Sequence, residues 1–158
     1  SLGVLHRLPW TREMRTPPWT DRRVQRPAAE VVMLTKASVS PVLSVVDLER
    51  ARRFYGVDLG LREVEHENEE AVFQCGHESA VNLHAAPDAL PSPHTVATFE
   101  VHNLAQEMKE LRGHGVKFED YDVPGLKTEG GIATVEGRRY AWFKDPSGNV
   151  LCLHEVAH

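Results

Sequence analysis

At 158 residues the chain suits one domain, long enough to bury a real core. Its net charge of -5 gives no electrostatic case for nucleic acid or an anionic membrane, and no apolar run approaches the length of a membrane span. The two cysteines, Cys75 and Cys152, lie far apart without metal-type spacing, which argues against a disulfide scaffold and fits a reducing cytoplasm.

Residues 1–35 read as an Arg/Pro-rich extension, disordered or loosely packed. Arg7, Arg12, Arg15, Arg22, Arg23 and Arg26 face only Glu13, Asp21 and Glu30, and Pro9, Pro17, Pro18 and Pro27 break any helix. This stretch lacks the apolar segment of a secretory signal. It reads either as a basic arm for a partner or as a dispensable extension ahead of a start at Met33. Residues 36–158 read as a single domain with an internal repeat, in modules of about 38–88 and 93–156. In the first, the apolar strand Val42 to Val46 leads through Asp47 into a helical pattern of Leu48, Ala51, Arg52 and Tyr55. In the second, Thr95 to Val101 leads through Asn103 into Leu104, Met108 and Leu111. Asp47 and Asn103 are good N-caps, Gly56 is expected to end the first helix, and Gly113 or Gly115 the second.

Three short strands are expected after each helix. They fall at about Arg62 to His66, Ala71 to Cys75 and Ala80 to His84, then Val116 to Tyr121, Arg139 to Lys144 and Asn149 to His154. Each half is therefore βαβββ, and the fold class is α+β, with two modules forming a mixed sheet and an inward-facing cleft. Ala85 to Pro93 and Asp122 to Gly137 read as long loops of the kind that border sites. Asp145-Pro146-Ser147-Gly148 closes a hairpin between the last two strands, with Pro146 presetting φ and Gly148 free to turn left-handed. A three-residue loop, Pro146 to Gly148, places Trp142 opposite Cys152.

The aromatic strand, the Asp-Pro-x-Gly-Asn turn and the closing strand resemble the vicinal oxygen chelate superfamily. So does the opening Ser44-Val-Val-Asp-Leu-Glu-Arg-Ala-Arg-Arg-Phe-Tyr55 with Leu59-Gly60-Leu61. That superfamily holds the glyoxalases, the bleomycin- and fosfomycin-resistance proteins and the extradiol dioxygenases, and the match runs from about Ser38 to Val156. The resemblance implies the fold above, a small-molecule ligand and a homodimer, with halves exchanged in some members.

Strand parity separates two faces. Leu43, Val45, Val81, Leu83, Ala97, Phe99, Val101, Leu151 and Leu153 should pack on the helices. The opposite face is too polar to bury unpaired and should line a ligand site. Its expected ligand-binding residues are Ser44, Asn82, His84, His94, Thr98, Glu100, Tyr140, Trp142, Cys152 and His154. Trp142, flat and apolar, is the expected central contact.

Where superfamily members use a divalent metal, His, Gln or Glu stands at four inward positions. By the resemblance those positions are Ser40, Asn82, Val96 and Cys152 here, and valine cannot coordinate. No cofactor is therefore expected. A divalent metal stays open only through His84, His94 and His154. Each lies two residues from a ligand position, ~6.6 Å along a strand, against zinc–nitrogen bonds of ~2.0–2.1 Å. Catalytic residues are unassigned. Glu100 is a candidate base or ligand anchor, or else the ion-pair partner of an arginine from the 122–140 segment. Cys152 is a candidate nucleophile or a plain buried cysteine. His66, His77, His102, His114 and His158 sit at turns or ends. Two functions follow: a cytoplasmic binding protein that sequesters an aromatic compound or antibiotic, or a lyase, isomerase or dioxygenase with an atypical His-based metal site or none.

Overall fold

The computed structural model of the chain describes residues 34–76 and 78–157; His77 and His158 lie outside them, as do the arginines and prolines of the extension. The chain divides into two units, Ser1–Ala37 and Ser38–His158. Of the first, only the turn at residues 34–37 is described, closed by Ala37 N–H donating to the Leu34 carbonyl at 3.0 Å. The second carries both modules. β1 (Val42–Val45) runs into α1 (Leu48–Arg53), followed by β2 (Arg62–Glu67), β3 (Glu70–Gln74) and β4 (Ala80–Ala85). β5 (Thr95–Val101) runs into α2 (Leu104–Gly113), then β6 (Asp122–Val123), β7 (Leu126–Glu129), β8 (Ile132–Val135), β9 (Arg138–Lys144) and β10 (Val150–Glu155).

Both helices start where a side chain satisfies an orphan N–H. Asp47 accepts from Arg50 N, and Asn103 from Gln106 N, each at 3.0 Å. The first helix does not end at Gly56. It continues as a π-helical turn, Phe54–Asp58, and Gly60, at φ 70°, is the residue that breaks it. Phe54 and Tyr55 are adjacent yet both buried in that turn. Gly56 lies inside that turn, where a Cβ would meet the Phe73 ring at 3.4 Å, an ordinary contact.

The modules do not share one sheet. β1-β4-β3-β2 form a four-stranded sheet and β5-β10-β9-β8-β7-β6 a six-stranded one. In each, the strand before the helix pairs parallel with the last strand of its module, and hairpins supply the antiparallel pairs. The segment 122–137 is no loop but a meander of β6 to β8. Its turns carry the positive φ that tight hairpins need, at Gly130 and Gly131 (60° and 85°) and at Glu136 and Gly137 (50° and 78°). The strand expected over Val116 to Tyr121 reduces to a Phe118–Phe143 bridge and a Glu119 N–H bond to the Trp142 carbonyl.

The parity expected for the core is present. Leu43, Val45, Val81, Leu83, Leu151 and Leu153 are buried in one cluster with Phe54, Tyr55, Leu104, Met108 and Phe143, and Ala97, Phe99 and Val101 pack against it. Among the described residues no helix is long and apolar enough to cross a membrane.

Candidate functional site

The hairpin of β9 and β10 holds the site, and Asp145 holds the hairpin. Asp145 is only 4% exposed. Its Oδ1 accepts from the backbone N–H groups of Ser147 and Asn149 at 2.9 Å, and its Oδ2 from the Tyr55 hydroxyl at 2.8 Å and Asn149 Nδ2 at 2.9 Å. Asn149 Nδ2 also donates to the Ser44 carbonyl, and Val46 N–H donates to the Ser147 hydroxyl, each at 2.9 Å. The Asp-Pro-Ser-Gly-Asn turn is thus a clasp between the modules. Gly148, at φ 87°, closes it with its N–H on the Asp145 carbonyl. Burial, then the charge of Asp145, pushes the Tyr55 phenol far above its ordinary pKa, so it stays a donor.

This clasp sets the register. Lys144 pairs with Val150, Trp142 with Cys152 and Tyr140 with His154, as the three-residue loop requires. The alternate side chains then form a row of rings on the open face of the six-stranded sheet. Tyr121 meets Trp142 edge to face at 5.6 Å, Trp142 stacks on Tyr140 at 5.9 Å, and Tyr140 stacks on His154 at 4.8 Å. Trp142 Nε1 donates to the Thr95 hydroxyl at 3.2 Å. On β5, Thr98 stands beside Cys152 and Glu100 beside His154, both exposed. A groove of about 580 Å³ runs from Thr98 and Glu100 to Cys75 and Ser79.

Tyr121 and Thr95 join the candidate site through Trp142 and were not expected from the sequence. Tyr121 lies outside any regular strand, so no parity signal points to it. Thr95 enters through a β-bulge: Val150 pairs with Thr95, but Leu151 pairs with Ala97. The extra residue reverses the alternation. Thr95 comes into phase with Thr98 and Glu100, Val96 packs against the core, and His94 falls out of phase ahead of the strand.

Ser44, Asn82 and His84 belong to the other sheet. There Asn82 stands between Val42 and Val72, and His84 between Ser44 and Glu70, with His84 Nδ1 3.4 Å from Glu70 Oε1. His84, His94 and His154 are therefore not gathered, and among the described residues no group of three or more His, Cys, Asp or Glu side chains could hold a metal. Cys152 is 3% exposed; its thiol donates to the Leu153 carbonyl at 3.3 Å, and burial pushes it up to about 11. A thiol so placed is a poor nucleophile at neutral pH. The ion pair considered for Glu100 does not form with Arg139, which pairs with Glu155 at 2.8 Å.

Residues 37–153 match the family model described as Glyoxalase/Bleomycin resistance protein/Dioxygenase superfamily. The chain belongs to this superfamily. No curated protein sequence matches it. Among solved structures it is similar to a bleomycin resistance determinant encoded on the transposon Tn5 (19% identity, TM-score 0.62, covering 78% of this chain and 100% of that one). It is similar also to a bleomycin-binding protein complexed with bleomycin (21%, TM-score 0.61, 77% and 100%). A third is a lactoylglutathione lyase from Agrobacterium tumefaciens (18%, TM-score 0.57, 76% and 93%). At these identities the likeness establishes the superfamily's fold. The positions where the superfamily's metal ligands are expected hold Ser40, Asn82, Val96 and Cys152, and these do not fit a divalent ion. The bulge packs Val96 against the core and puts Thr95 on the open face, where its hydroxyl accepts from Trp142 Nε1, and Cys152 is a buried thiol raised to about 11.

Proposed function

We propose that the chain is a small-molecule-binding protein of the glyoxalase/bleomycin-resistance type, working without the superfamily's usual metal site. Its ligand is a flat, partly aromatic compound, such as an antibiotic, taken against the face of Tyr121, Trp142, Tyr140 and His154. The observation that carries this reading is the row of rings itself, which leaves a half-exposed indole and phenol beside Thr98 and Glu100. Stacked rings present area at little conformational cost. The bleomycin-binding relative, solved with its ligand, shows that the fold can serve such binding.

Residues 36–158 are the working domain in this reading, and 1–35 an extension. Its working unit is a homodimer. Among the described residues the strands β1 and β5 end their sheets without a further partner, and Val42 on β1 is 64% exposed, so a second copy has edges and faces to cover. Two free thiols, Cys75 and Cys152, fit a cytoplasmic location.

The test uses the full chain carrying Trp10→Phe and Trp19→Phe, which leaves Trp142 as its only tryptophan. Titration with planar aromatic compounds should shift and quench its emission, and acrylamide should quench it unless ligand is bound. Trp142→Ala, read by calorimetry because that variant has no tryptophan, should weaken binding at least about 2- to 10-fold, the loss of a stacking contact of ~0.5–1.5 kcal/mol beyond its area. Emission typical of a dry core, unmoved by a compound that binds, would sink the assignment. A stoichiometric metal in the purified protein, together with lyase, isomerase or dioxygenase activity, would replace it with the enzymatic reading.

A further inference from the structure

We propose that the protein has a second binding site, for a small, multiply charged anion such as a diphosphate or a phosphorylated compound, in the groove between α1 and the end of β9. The groove measures about 480 Å³, a volume that suits a small molecule. Arg50 and Arg53, three residues apart on α1, line one wall. Lys117 and Lys144, flanking the Phe118–Phe143 bridge, line the other.

Three of this groove's four cations have no ion-pair partner among the described residues. Arg52, on the same helix, is held by Glu49 at 2.7 Å and Glu63 at 2.8 Å. Arg50, Arg53 and Lys117 have no carboxylate within ion-pair distance among the described residues, and Lys144 has only Glu119 at 3.7 Å. The other carboxylates on the groove are Asp58 and Asp145, and Asp145 is held in place by neutral donors, Tyr55 and the hairpin turn, with its charge kept. In a chain of net charge -5, four cations against three carboxylates leave the groove one positive charge in excess. Its floor includes Phe54 and Val116, both buried, and a low-dielectric floor strengthens the attraction for an anion.

The placement selects for charge and length. Guanidinium forks suit phosphate oxygens, and a diphosphate can meet arginines on one wall and lysines on the other. A monovalent anion reaches one wall and is screened by salt. The walls also belong to different modules, so an anion spanning them braces the same boundary as the Asp145 clasp. No ring of the Trp142 row lines this groove, and the inference stands apart from the function proposed above.

The test is titration of the full chain with inorganic pyrophosphate at constant ionic strength, followed by thermal unfolding and by calorimetry below the transition. The expected result is saturable binding and a saturable rise in Tm. Arg50→Gln with Arg53→Gln should weaken binding ten-fold or more. Lys109→Gln, which removes one charge from α2 outside the groove, should leave binding unchanged. Calorimetry on the folded variant separates lost binding from any loss of helix stability. A response that sodium chloride reproduces at equal ionic strength overturns the proposal. So does a double arginine variant that binds as tightly as the parent, or a Lys109→Gln variant that loses binding equally.

Discussion

Removing the Tyr55 hydroxyl tests whether the Asp-Pro-Ser-Gly-Asn turn is a clasp or merely a turn. Tyr55 is fully buried, and its hydroxyl donates to a carboxylate oxygen that is itself buried. A hydrogen bond to a charged group contributes about 1.5–3 kcal/mol. In Tyr55→Phe, Asp145 keeps its backbone and Asn149 donors, so no charge is stranded and the cost should fall near the low end, about 1.5 kcal/mol. Asp145→Asn should cost more, about 2–3 kcal/mol. With its carbonyl kept toward the Ser147 and Asn149 N–H groups, its new amide N–H points at Asn149 Nδ2, donor against donor. The double variant should show a coupling of about 1 kcal/mol, since each change removes the same bond. Urea unfolding reads these values as shifts in midpoint at unchanged slope. Additive effects, or a Tyr55→Phe cost below about 0.5 kcal/mol, would refute the clasp.

The same bond has a pH signature. Burial, then the Asp145 charge, raises the Tyr55 pKa above its ordinary 10.0. Its contribution is therefore complete below that value and is lost as pH rises past it, with a limiting slope of about 1.4 kcal/mol per pH unit. Tyr55→Phe should flatten that alkaline fall.

Cys152, raised from 9.0 to about 11, should carry roughly 100-fold less thiolate at pH 8 than an ordinary cysteine, and iodoacetamide should spare it in the folded protein. Rapid alkylation of Cys152 in the native state, read by peptide mass, would reopen its candidacy as a nucleophile. Sedimentation at micromolar concentration should give a homodimer; a strict monomer would count against the pairing while leaving the fold untouched.

The parts of the fold legible from sequence were those set by local chemistry and strict alternation. The caps at Asp47 and Asn103 and the hairpin register that puts Trp142 opposite Cys152 follow from side-chain types and a loop of known length. Gly130-Gly131 and Glu136-Gly137 carried a hairpin signal of the same kind, but the short strands between them have too few residues for alternation to register. The bulge at Val96 is another matter. Nothing local marks it; Val150 and Leu151 across the sheet define it, so parity counted back from Val101 fails there and takes His94 with it. Tyr121 reaches Trp142 through irregular backbone, which no periodicity can foretell.

The open face of rings is, in this light, a consequence of the core. A slip of one residue between β9 and β10 would turn one strand over: either Phe143 toward water with Tyr140 and Trp142 inward, or Leu151 and Leu153 toward water with His154 inward. These apolar side chains are at most 3% exposed, and exposing each costs about 1.5–3 kcal/mol, whichever strand turns over. A single stacked ring on the open face contributes only about 0.5–1.5 kcal/mol beyond its area, no more than the least of these costs. Ligand binding cannot therefore have set the register; the buried half of each strand did, with the Asp145 clasp pinning the turn. It follows that the partly exposed rings of the open face can be exchanged with little effect on the fold, unlike the buried Cys152 beneath them, while any change to Asp145, Gly148 or Asn149 moves the rings along with the core.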